Sequence, residues 1–172
     1  KPPMYMPISQ GKQMEKVERE SSVQSSIRFG KRTIDRKHQD FPGLLLLNHY
    51  FGGFFGSQLM QNLREEKGLT YGVGSSIHSF KNDALLSIGT DVNKENVDHA
   101  VEQIQQELRK ISKGDINSDD LELSRRHFIG SIQSDVANPF SVLSKIKNLQ
   151  LHNLSPTYYE DLLGTVDSIS LN

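Results

Sequence analysis

The chain has 172 residues, a length that suits one compact domain. Lys and Arg number 20 against 21 Asp and Glu, a formal net charge of −1, so no overall field draws the chain toward nucleic acid or an anionic membrane. Cysteine is absent, which removes disulfides, thiolate metal sites and cysteine nucleophiles together. No apolar run approaches the roughly 18 residues that a membrane span needs, and no signal-peptide pattern is present.

Residues 1–22 hold Pro2, Pro3 and Pro7 and then a charged run through Glu20, without a sustained apolar period. They read as a linker or extended entry segment, which puts the domain boundary near Ser22 and the domain at 23–172. Val23, Ser25, Ile27 and Phe29 alternate with Gln24, Ser26 and Arg28, the period of a strand over 23–29. The basic cluster of Lys31, Arg32, Arg36, Lys37 and His38, interrupted by Asp35, reads as a solvated loop. Next, the block 44–47 is solidly apolar and runs on through Tyr50 and Phe51, with Asp40 placed to cap and Pro42 in the first turn. That pattern predicts a buried helix.

Gly52, Gly53 and Gly56 interrupt that helix. A phosphate cradle would end in Gly-Lys-Ser/Thr after a Rossmann-type strand, and neither is present, so the glycines read as a break that permits close backbone packing. Ser57 is a good N-cap for a second helix with Leu59, Met60 and Leu63 turned inward, and Gly68 is its natural end. Strands over 71–80 and 84–92 follow, joined at Lys81, Asn82 and Asp83 as a hairpin.

Val97, Ala100, Val101, Ile104, Leu108 and Ile111 fall at helical spacing and predict a helix over 93–112 packed on the sheet. Ser118 with Asp119 opens another containing Leu121, Phe128 and Ile132. Pro139 divides it from a third with Leu143, Ile146 and Leu149, and Ser155 with Pro156 starts a last one through Leu163. Residues 167–172 read as the approach to a further helix, so the domain is taken as truncated at its end. Strands first and helices after predict an α+β fold, a largely antiparallel sheet with helices packed on one face in a two-layer sandwich.

Six histidines, at 38, 49, 78, 99, 127 and 152, do not pair at ligand spacing on one helix and read as scattered surface or core residues. Residues 51–73 are more specific. The run FGGFFGSQLMQNLREEKGLTYGV sets Arg64 on the last helical turn and Tyr71 at a strand entry, so two long polar side chains converge across the Gly68-Leu69 turn. Taken singly, Arg64 also suits the negative end of a helix dipole and Tyr71 a half-buried strand.

The joint arrangement resembles the C-terminal half of the pitrilysin/insulinase-type zinc peptidases (inverzincins), in the mitochondrial-processing-peptidase-like branch. In that half an arginine and a tyrosine flanking a Gly-Leu turn contact the substrate. The order of elements is similar from about Gln24 onward, and the stretch from Gly52 to Val73 carries the specific motif. The resemblance implies a clamshell of two related halves, one bearing zinc and a general-base glutamate on an H-x-x-E-H helix, the other closing over an extended peptide. This chain contains no H-x-x-E-H and looks like the zinc-free half. Its zinc would reside in a partner half, in the same polypeptide or a separate subunit. The implied catalytic pair is Tyr71, donating to the oxyanion, and Arg64, holding a neighbouring backbone carbonyl; Gly68 and Leu69 complete the implied substrate-binding set. Alone, the chain is expected to be inactive. The competing reading is a catalytically inactive scaffold or peptide-binding homologue of the same family.

Overall fold

The computed structural model describes residues 14–19, 21–81 and 83–171, so much of the 1–22 entry segment, and Asn82 of the hairpin turn, lie outside the described residues. Three strands, β1 (Gln24–Thr33), β2 (Thr70–Ser79) and β3 (Ala84–Asn93), form an antiparallel sheet in the order β1-β3-β2. The hairpin is thus where alternation placed it. β1 pairs with β3 without a break from Gln24↔Asn93 to Thr33↔Ala84. That full ladder carries the strand beyond 29, so Lys31 and Arg32 are strand residues and not loop. Arg32 donates from Nε to Asp83 Oδ2 at 2.7 Å, tying β1 to the hairpin turn.

The first helix, α1 (Phe41–Asn48), passes directly into one π-helical stretch, His49–Gly53. Pro42 sits in its first turn as expected, but Asp40 contributes its backbone carbonyl to Leu44 N–H (3.0 Å) and no side-chain cap. A second π-helical stretch, Met60–Glu66, follows the glycines. Ser57 does not cap it with its side chain: the hydroxyl is buried and has no hydrogen-bond partner among the described residues.

α2 (Val97–Ser112) starts later than residue 93, since the ladder holds Asn93 opposite Gln24 and a single 3-10 turn, Lys94–Asn96, makes the corner. α3 (Ser118–Ser134) is capped by Asn117 rather than by Ser118: its Oδ1 accepts from the N–H groups of Asp119 (2.9 Å) and Asp120 (3.0 Å). α4 (Pro139–His152) takes its cap from Asn138, and its end at Asn153 is left-handed, with φ 49°. α5 (Tyr158–Ser168) closes the described chain.

Two apolar clusters hold these elements. In the first, Ile27, Val73, Ile88 and Val92 from the sheet meet Phe51, Leu59, Leu63, Ala100 and Ile104 from the helical layer. In the second, Leu46, Tyr50, Leu121, Leu162 and Val166 join α1, α3 and α5. The result is the expected α+β architecture. Arg125 reinforces the second cluster from α3 by donating to carbonyls at the end of α5, Val166 and Ile169 among them. On α4 Leu143 and Ile146 are exposed and no residue of this helix is buried, because none of the described elements covers that face.

Candidate functional site

The glycine loop works by close approach. A Cβ on Gly52 would lie 2.6 Å from Ser75 Oγ, 2.7 Å from Ser75 N and 2.9 Å from Leu59 Cδ1, so this residue seats the helix end directly on β2. Gly53 leaves room for the His49 ring and Gly56 for the Phe54 ring, whose nearest atoms would stand 2.9 Å and 2.8 Å from an added Cβ. Two consecutive aromatics therefore part company. Phe54 folds back onto His49 (centroids 4.7 Å, planes 5° apart) and His127 (4.5 Å), whereas Phe55 stays 61% exposed.

The histidine pair under Phe54 is a feature that linear spacing could not reveal, because His49 and His127 are 78 residues apart. His49 Nε2 and His127 Nδ1 meet at 2.9 Å, one donating to the other. Burial, with His127 beside it, pushes the His49 pKa down to about 4. With ring centroids 5.0 Å apart, the nitrogens face each other in a hydrogen bond instead of converging on an ion. No group of three His, Cys, Asp or Glu side chains suited to a metal occurs among the described residues. The described residues therefore do not fit a zinc site of the kind built from three protein ligands.

Arg64 stands on the second π-helical stretch. The wide turn is visible where Lys67 N–H donates to Asn62 O across five residues at 3.2 Å. Asn62 itself is buried and donates from Nδ2 to the buried Glu107 carboxylate of α2 (2.5 Å), which also accepts from Lys110 (2.8 Å). This contact pins the stretch from below. Above, the Arg64 guanidinium lies over the Phe55 ring, 4.5 Å from its centroid, with Nε 3.5 Å from Glu65 Oε1.

Gly68 then reverses the chain at φ 60°, its N–H donating to Arg64 O (3.1 Å) while Leu69 N–H reaches Leu63 O (2.8 Å). This is the left-handed helix ending that favours glycine. Leu69 turns its side chain onto the first core.

Tyr71 follows at once, and here the sheet is irregular. Thr70 pairs with Val92 and Val73 with Thr90, so Tyr71 and Gly72 together oppose the single residue Asp91. That is a β-bulge, a device that re-aims a side chain. Two buried hydroxyls hold it: Thr70 Oγ1 donates to Asp91 O (2.8 Å) and accepts from Gly72 N–H (3.1 Å), and Thr90 Oγ1 donates to Gly72 O (2.9 Å). The consequence is that Tyr71 is 90% exposed, not half-buried, and its hydroxyl has no partner among the described residues. Arg64 and Tyr71 flank the turn as the motif requires without touching each other. Beside them the outer sheet face forms a shallow concavity of about 370 Å³ lined by Arg28, Gly72, Gly74, Ser76, Gly89 and Asp91.

An α+β module with an arginine and an exposed tyrosine astride a glycine turn is the class that fold and site define. The model of the Peptidase M16 inactive domain family matches residues 2–128, which include the whole segment from Gly52 to Tyr71. The chain belongs to that family, the pitrilysin/insulinase-type metallopeptidases, and the resemblance to the C-terminal half of that family is borne out. It is 27% identical over 157 residues to the probable inactive metalloprotease YmfF of Bacillus subtilis, a match covering 91% of this chain and 36% of that one. To the uncharacterized zinc protease YmxG of the same organism it is 29% identical over 153 residues, 89% of this chain and 37% of the other. It thus spans little more than a third of the length of these relatives. Among solved structures, the peptidase M16 inactive domain from Pseudomonas fluorescens superposes with a TM-score of 0.80 at 25% identity, over 87% of this chain and 36% of that one. The inactive peptidase domain of a putative zinc protease from Bordetella parapertussis shares the fold at 17% identity (TM-score 0.74), over 90% of this chain and 84% of its own.

Proposed function

We propose that this chain is the substrate-binding, metal-free half of a zinc-dependent metalloendopeptidase of the mitochondrial-processing-peptidase-like branch, acting on extended peptides. The observation that carries the reading is the bulge at Tyr71-Gly72, held by two buried threonine hydroxyls, which sends a tyrosine outward from a strand whose neighbours at Thr70 and Val73 are buried. In this reading the domain runs from about residue 23, and a partner half, fused or separate, brings the zinc and the nucleophile. The chain's own residues bind and orient. The Arg64 guanidinium holds a backbone carbonyl of the peptide through its planar fork of donors. The Tyr71 hydroxyl donates to the scissile carbonyl oxygen as negative charge builds there. Gly68 and Leu69 fix the turn between them.

A second reading, an inactive scaffold or peptide-binding member of the family, draws on the description of YmfF as a probable inactive metalloprotease. Kinetics separate the two. In the complete zinc-loaded protein, with a fluorogenic peptide, Tyr71→Phe should lower kcat roughly 10²- to 10³-fold with little change in KM, the loss expected for one oxyanion donor. Arg64→Ala should raise KM more than it lowers kcat, and Arg64→Lys should rescue only in part. If both leave kcat/KM within about twofold of the parent, or if the complete protein cleaves nothing, the scaffold reading leads.

A further inference from the structure

Arg64 is useful as a peptide clamp only if its guanidinium is held with the donor edge outward. A surface arginine has many rotamers, and most of that freedom is lost on binding unless the side chain is already fixed. Its ion-pair partner does little here: Glu65 is an exposed neighbour, with Oε1 3.5 Å from Nε. Phe55 is different. Its ring lies beneath the guanidinium carbon, which stands 4.5 Å from the ring centroid, a cation–π contact that uses none of the guanidinium N–H donors in a hydrogen bond to the ring edge.

The loop keeps that ring in place. Phe54, one residue before, is locked by stacking on His49 and His127, and Gly56, one residue after, is where a Cβ would strike the Phe54 ring at 2.8 Å. Phe55 is therefore presented outward between two fixed neighbours, in spite of the cost of exposing an aromatic ring. We propose that Phe55 is the positioning residue for Arg64, a stacking platform that preorganises the guanidinium to receive a planar oxygen acceptor of the peptide backbone. This rests on the reading of Arg64 as a substrate contact.

An aromatic platform and mere apolar packing predict different outcomes for Phe55→Tyr and Phe55→Leu. The first keeps the π face; the second keeps apolar bulk without it. By NMR of the 172-residue chain, the Arg64 δ and ε protons should show ring-current upfield shifts in the parent and in Phe55→Tyr, and should lose them in Phe55→Leu. In the complete zinc-loaded protein, Phe55→Leu should raise KM about three- to tenfold with kcat within about twofold, Phe55→Tyr should stay within about twofold, and Phe55→Leu should add nothing in an Arg64→Ala background.

The proposal is overturned if the ring-current shift is absent from the parent, if Phe55→Leu and Phe55→Tyr behave alike, or if the KM change comes with a matching fall in melting temperature, the mark of packing. A persistent ring-current shift together with an Arg64→Ala variant of unchanged KM identifies the other failure: the stack exists, but Arg64 is no substrate contact.

Discussion

Gly52→Ala tests whether the glycine loop owes its place to contact between backbones. The added methyl would sit inside 3.0 Å of three atoms: the Ser75 hydroxyl, the Ser75 backbone nitrogen and Leu59 Cδ1. The serine side chain can rotate away. The Ser75 nitrogen cannot, since it belongs to β2 in the ladder with β3, and Leu59 is fully buried in the first core. Relief requires lifting the helix end off the sheet, an overpacking cost of about 1–3 kcal/mol. Against this stands a gain of about 0.5–1 kcal/mol from replacing a helical glycine by alanine. The net expectation is a loss of about 1–2 kcal/mol, or a drop of roughly 3–8 °C in Tm for a chain of this size. Urea unfolding followed by circular dichroism measures it directly, with Gly72→Ala as the control, since a methyl there meets nothing within 4 Å. Should Gly52→Ala fall within about 0.5 kcal/mol of the parent at unchanged m-value, the close-packing account of the loop is wrong.

Gly130 lies exposed inside α3 with no atom within 4 Å of an added Cβ, so Gly130→Ala should stabilise the chain by about 0.5–1 kcal/mol in the same urea titration, and a loss of stability would contradict the helix assignment. His49 gives a pH dependence with a definite sign. Below its ordinary value of 6.5 the unfolded chain takes up a proton that the folded ring refuses until about pH 4, so stability is flat above 6.5, falls between 6.5 and 4, and is flat again below. Because the ring is only half-buried, the loss should be limited to about 1–2 kcal/mol. His49→Gln should remove that part of the slope when unfolding is measured at pH 7, 5 and 4, and an identical slope in parent and variant would rule His49 out as its source.

Much of the fold could be read from the sequence because its determinants are local. Alternation from Val23 to Phe29 and across the hairpin marked the strands, the 3-4 spacing from Val97 to Ile111 marked α2, and Gly68 marked a turn whose φ of 60° only glycine accepts readily. The errors arose where pairing or packing overrode local preference. Nothing in Lys31 and Arg32 announces a strand; they are held in one by pairing with β3 and by Asp83. Ser57 has the chemistry of a cap but is buried, and Asn117 took the capping role expected of Ser118 one residue later. The π-helical turns leave no periodic signature, since the apolar spacing of Leu59, Met60 and Leu63 suits an α-helix equally well.

The candidate site divides in the same way. Arg64, Gly68 and Tyr71 were legible because a motif twenty residues long contains them all. A glycine immediately after Tyr71 is also the one local hint of the bulge, as an isolated glycine in a strand often is. Phe55 and the His49–His127 pair were not legible: the first is one aromatic among neighbours, and the second exists only once α3 has packed beside the glycine loop.

Placement then argues for an outside complement to the site. Arg64 and Tyr71 rise from two elements that share the first core, the second π-helical stretch and β2, and the turn joining them is fixed by hydrogen bonds from Gly68 and Leu69. Their spacing is therefore set by the backbone and needs no partner. What the described residues lack is an opposing wall: Tyr71 projects into solvent, Phe55 is 61% exposed, and the sheet face that includes Gly72 is only a shallow concavity. Under the proposed function, a surface whose spacing is set by its own backbone and which is open on one side would hold the peptide against the zinc-bearing partner half.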